Sequence, residues 1–155
     1  MQKKDHLSNK AFMAFCSNKN ITSDKFGVDG SELYKAYQMN PIIRHAPDKL
    51  CKSASGNLFL TEMKGCKNEG LRIKSDCLID YLEWAKLFRV NAFIFNSDSH
   101  KYAYLPISEL ATIAEHVGKS EDQYMGEIYH IPCSMFEWTD VPIIHEPQYA
   151  DNYQG

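Results

Sequence analysis

The chain reads as an α/β domain with a central mixed β-sheet flanked by helices, and three observations predict this. Residues 58–64, "LFLTEMK", have the length and composition of a strand. Residues 91–95, "NAFIF", are a short apolar run of the kind found in buried strands. Between the two lies an amphipathic segment, so the order is strand, helix, strand. A strand meander combined with such a crossover is accommodated by a mixed sheet carrying helices.

Size and composition agree. At 155 residues, with 44% hydrophobic and 12% aromatic content, the chain suits one folded domain with a real core, expected over residues 1–140. "MQKKDHLSNK" has no apolar core behind its lysines, so it does not read as a secretory signal, and no apolar run approaches membrane-spanning length. Five cysteines, with no CxxC pair, argue against a disulfide framework or a zinc knuckle and suit a reducing cytoplasm. Charge is uneven. Residues 1–118 hold 16 basic and 13 acidic side chains (+3), whereas 119–155 hold one lysine and 7 acids (-6). The body is only mildly basic, which permits nucleic-acid binding without signalling it. Residues 141–155 read as an acidic, loosely held tail.

The elements follow in order. Ser8 is a candidate N-cap, with Ala11, Phe12, Phe15 and Cys16 on one helical face. Gly27 and Gly30 bracket a turn. Residues 33–37 suit a strand or a helix. Residues 42–45 read as extended between two prolines. "SASGN" is a turn leading into 58–64, where Leu58, Leu60, Glu62 and Lys64 share one side and Phe59, Thr61 and Met63 the other. "GCKNEG" reads as a loop. Residues 74–88 form an amphipathic helix capped near Ser75, with Leu78, Tyr81, Leu82, Ala85 and Phe88 as its apolar stripe. "NSDSH" turns the chain into the returning strand "KYAYLPI". Ser108 and Gly118 bound a further helix, and "EIYHIP" is a late strand.

Pro47-Asp48 stands ahead of the strand carrying Glu62-Met63-Lys64. With the element order of residues 8–117, this resembles the PD-(D/E)xK nuclease superfamily, whose restriction-endonuclease-like fold is shared by many restriction enzymes and archaeal-type Holliday-junction resolvases. The resemblance implies a Mg²⁺-dependent DNA endonuclease, with Mn²⁺ as a substitute, acting on phosphodiester bonds and selective for branched or junction DNA. It makes Asp48, Glu62 and Lys64 catalytic. Asp48, Glu62 and the backbone carbonyl of Met63 would hold the metal, a hard cation satisfied by oxygen ligands. Lys64 would orient the attacking water. Many members carry a further acid on the first helix; residues 8–21 contain none, which leaves Asp29 and Glu32 as candidates. Lys67, Arg72, Lys74 and Ser75 are candidate DNA contacts. His45, Trp84 and Trp138 read as structural. A small chain of this kind is expected to form a homodimer. The alternative is a non-catalytic binding or regulatory protein on the same fold, engaging a protein partner through its acidic tail.

Overall fold

The computed structural model describes residues 2–28 and 40–143, with side chains from His6 onward. Its strands are β1 (Thr22–Lys25), β2 (Lys49–Lys52), β3 (Leu58–Cys66), β4 (Leu71–Lys74), β5 (Val90–Asn96), β6 (Lys101–Pro106), β7 (Lys119–Asp122), β8 (Gly126–Ile131) and β9 (Thr139–Asp140). The helices are α1 (Gln2–Lys19), the single-turn α2 (Pro41–Arg44), α3 (Ser75–Ala85) and α4 (Ile107–Val117). Six strands form a sheet in the order β1-β2-β3-β5-β6-β9, and β4-β8-β7 form a second, smaller one. Among the described strands only β3 and β5 run parallel, joined through α3, so the main sheet is mixed as expected. None of the described helices is long and apolar enough to cross a membrane.

The two faces of the sheet carry different cores. On one, Phe12, Phe15 and Cys16 of α1 pack against Phe59, Phe93, Phe95 and Tyr102. Their rings meet edge-on, tilted and stacked, with Phe12 and Phe93 centroids 5.1 Å apart. On the other, Leu60, Ala92, Ile94, Ala103 and Leu105 face Leu78, Tyr81, Leu110 and Ala114 of α3 and α4. Alternation along β3 therefore sends Leu60 to the α3 side and Phe59 to the α1 side, in the phase read from the sequence. Every residue of β5 is buried, as expected for the central parallel strand.

Several local expectations are corrected. Helix α1 begins at Gln2, not at Ser8, because residues 2–7 include good helix formers; Ser8 lies buried within it. Residues 42–45 are not extended: Pro41 opens α2, and the Asn40 side chain caps it by accepting from the Ile42 amide at 3.1 Å. Proline constrains the residue before it, here Asn40 and Ala46, and leaves the residues between free to turn. "GCKNEG" is not all loop, since β3 continues to Cys66 and only Lys67–Gly70 turns before β4. Ser75 and Ser108 do not cap; Lys74 and Pro106 occupy the cap positions without side-chain hydrogen bonds. Gly118 does end α4, at a φ of 86° that favours glycine. Strands β1, β2, β4, β7 and β9 had no sequence signal. The chain is held as far as Val141, which packs on the α1-side core. Asp29, Glu32, the 33–37 segment and the chain from residue 144 lie outside the described residues.

Candidate active site

The site forms where β3 outruns β2. Strand β2 pairs with Leu58–Thr61 and stops at Lys49, while β3 pairs with β5 as far as Cys66. Among the described residues, 62–66 thus have a strand partner on one side only. The gap is a cavity of about 510 Å³ lined by Asp48, Glu62, Met63, Lys64, Lys25, Lys49 and neighbouring α1 residues Ser8 and Asn9.

Backbone geometry aims the groups. The Leu60 amide donates to the Arg89 carbonyl at 2.8 Å on the β5 side, so the amide groups of Thr61 and Met63 alternate to the β2 side. There the Met63 N–H donates to Asp48 Oδ2 at 2.9 Å. The same alternation turns the Met63 carbonyl to the side occupied by Asp48. Asp48 itself is anchored through its carbonyl, which accepts from the Phe26 and Gly27 amides at 2.9 and 3.3 Å. Gly27 allows that approach: a Cβ there would stand 2.8 Å from both the Ala46 and Pro47 carbonyl oxygens.

Glu62 is 4% exposed. Its Oε2 accepts from the Tyr81 hydroxyl at 2.5 Å and lies 3.3 Å from Lys64 Nζ. The Lys64 ammonium stands 5.4 Å from the centre of the Tyr81 ring. Burial pushes the Glu62 carboxyl up to about 8, against the opposing pull of Lys64, and the nearby Asp48 carboxylate adds to the rise. For Lys64, burial works to lower the pKa, but Glu62, Tyr81 and Asp48 together raise it, so the side chain is an ammonium.

The structure brings Asp48, Glu62, Met63 and Lys64 together on one cavity. Lys67 and Arg72 line an adjoining cavity of about 290 Å³, which shares Ser8 and Gly65 with the first. Arg72 also approaches Asp122, at 3.9 Å. Lys74 and Ser75 line neither cavity. Ser75 is buried and its hydroxyl donates to Glu127 at 2.9 Å, so it is committed to β8 instead of facing a ligand. His45 pairs with Asp80 at 2.5 Å, tying α2 to α3, and Trp84 Nε1 donates to the Ile42 carbonyl at 2.8 Å. Trp138 Nε1 donates to the Cys133 carbonyl, also at 2.8 Å. All three are structural, as read.

Sequence reasoning missed Tyr81, Lys25, Lys49 and Ser8. Tyr81 was placed in the apolar stripe of α3, which its ring indeed joins. The available signal was a hydroxyl on a stripe facing a strand that carries Glu62.

No family model matches the chain, and no curated protein does. Among solved structures it is similar to Hjc, a Holliday junction resolvase from the archaeal hyperthermophile Archaeoglobus fulgidus. Sequence identity is 11%, over 83% of this chain and 88% of that one, with a TM-score of 0.53. At that identity the likeness concerns the fold: a central mixed sheet flanked by helices, of the resolvase and restriction-endonuclease type.

Proposed function

We propose that the chain is a metal-dependent DNA endonuclease that hydrolyses phosphodiester bonds, with Asp48, Glu62 and Lys64 as its active residues. The observation that carries the proposal is the convergence of two carboxylates and an ammonium on one cavity, at the point where β3 outruns β2. A buried carboxylate whose proton is held to about pH 8 is costly for a fold to keep without a use.

The donor set fits Mg²⁺, or Mn²⁺ in its place. Asp48, Glu62 and the Met63 carbonyl are all oxygen donors, which hard cations prefer over nitrogen or sulfur. No group of three or more His, Cys, Asp or Glu side chains gathers among the described residues, so two carboxylates would be the charged part of the shell. When bound, such an ion lowers the pKa of a coordinated water and stabilises charge on phosphate oxygens. Tyr81 fixes the Glu62 carboxylate by donating to it, and Asp48 is held by the Met63 amide. Lys64 donates hydrogen bonds, to the attacking water or to a phosphate oxygen. Lys67 and Arg72 in the adjoining cavity contact the DNA backbone.

The fold likeness to a junction resolvase supports branched DNA as substrate, and we propose a homodimer as the working form. The test incubates the protein with linear, supercoiled and four-way-junction DNA in Mg²⁺ or Mn²⁺. Cleavage is expected, fastest on the junction, and abolished by chelation. Glu62→Gln should reduce cleavage by roughly 100-fold or more while DNA binding persists. No cleavage of any of the three DNAs with either ion would overturn the proposal in favour of a non-catalytic binding protein.

A further inference from the structure

We propose that Cys66 and Cys133 form a reversible disulfide, a redox modification site beside the candidate active site, closed by a low-molecular-weight disulfide such as oxidised glutathione. The inference does not depend on the nuclease reading.

Cys66 is the last residue of β3 in the main sheet, and Cys133 opens the short 3-10 turn, Cys133–Met135, that follows β8 of the smaller sheet. The Cys133 thiol stands beside the end of β3, against the backbone of Lys67 and the side chain of Asn96. Independent contacts fix the approach from both sides. The Cys133 thiol donates to the Lys67 carbonyl, next along the chain from Cys66, at 3.3 Å, and its sulfur lies 3.7 Å from Asn96 Nδ2. Asn96 is the residue opposite Cys66 in the β3–β5 pairing, and the Ser97 amide donates to the Cys66 carbonyl at 3.0 Å. The Cys133 carbonyl accepts from Trp138 Nε1 and the Phe136 amide, which holds its backbone. These contacts place the Cys133 sulfur beside Cys66 on ordered backbone.

Accessibility separates this pair, together with Cys77, from the other two cysteines. Cys16 and Cys51 are buried at 5% and 1% exposure, out of reach of a dissolved oxidant. Cys66 and Cys133 are both only half-buried. Burial, then Cys133, push the Cys66 thiol up to about 12, so Cys66 keeps its proton and the first attack falls to Cys133. The Cys133 thiolate attacks one sulfur of oxidised glutathione and expels one glutathione thiolate, leaving a mixed disulfide. Cys66 then gives up its proton, attacks the Cys133 sulfur and expels the second glutathione. Two protein thiols are oxidised to one disulfide, and one disulfide oxidant is reduced to two thiols. The bridge ties the end of β3, next to Gly65 on the rim shared by both cavities, to the segment after β8.

The test treats the folded, full-length protein with oxidised glutathione, blocks remaining thiols with iodoacetamide, and maps peptides without reduction. The expected result is a linked peptide pair holding Cys66 and Cys133, about 2 Da lighter than the two reduced peptides together and separated by dithiothreitol. Cys77→Ser should leave the link intact, whereas Cys133→Ser should abolish it. Recovery of Cys66 and Cys133 as alkylated thiols, or as glutathione adducts that never resolve, would overturn the proposal. So would a link between either one and another cysteine. The wild-type map decides the question even if a serine variant folds poorly.

Discussion

Glu62 is the residue on which the site turns, and its proton makes a prediction of its own. Its folded-state pKa of about 8 lies above the ordinary value of 4.5, so the folded state binds this proton more tightly than the unfolded state. Stability from this group is therefore full below about pH 4.5 and is lost as pH rises toward 8. In metal-free protein, the melting temperature should fall across that window, and Glu62→Gln should flatten the slope. An equal slope in both proteins would show that Glu62 is not the group responsible. Tyr81 acts one bond further out. Tyr81→Phe keeps the ring beneath Lys64 and removes only the hydroxyl that holds Glu62. Cleavage should drop by roughly 10- to 100-fold with DNA affinity unchanged; an unchanged rate would make the hydroxyl merely structural. The meeting of Asp48, Glu62 and Lys64 on one cavity was legible in the sequence through the resemblance of Pro47-Asp48 and Glu62-Met63-Lys64 to the PD-(D/E)xK motif. Tyr81 was not, because its hydroxyl finds Glu62 only through the packing of α3 on β3, which periodicity does not encode.

At the scale of elements, the mismatch between β2 and β3 opens the cavity, and Gly27 keeps the Asp48 loop at its edge. Gly27→Ala would drive a methyl to within 2.8 Å of two backbone carbonyl oxygens, which have no flexible end to move aside. A loss of about 1–3 kcal/mol in denaturant unfolding is expected, together with weaker cleavage as Asp48 is displaced. Wild-type stability and activity together would mean the loop has slack. The long or strongly patterned elements were readable: β3, β5, β6, α3, α4 and β8. Strand β1 was not, because "TSDK" is exposed throughout and exists through its pairing with β2. Strand β4 was hidden because "LRIK" is only four residues long and depends on β8. Short α2 shows the opposite error, where a local rule about proline was extended to residues it does not govern.

Across the whole molecule, charge and topology act together. The parallel β3–β5 pair and its α3 crossover could be inferred from element order, and the fold class followed from them. The division into a main sheet and a separate β4-β8-β7 sheet could not, since it rests on long-range pairing. The basic side chains lining the two cavities come from β1, β2, β3, β4 and the Lys67–Gly70 turn, so no single stretch of sequence is strongly basic. If Lys67 and Arg72 each meet a phosphate, replacing either with alanine should weaken DNA binding. Each change should also lower the slope of log affinity against log salt by about one. An unchanged slope would place the DNA elsewhere.

The central claim is that Asp48 and Glu62 share a divalent cation. Diffraction from crystals soaked in Mn²⁺, recorded for the anomalous signal of the metal, tests it most directly. One ion bound by both carboxylates and the Met63 carbonyl is expected, at roughly 2.0–2.2 Å, and its loss in Glu62→Gln crystals. A fully soaked wild-type crystal with no ion at that place, or with an ion held by other residues alone, would contradict it.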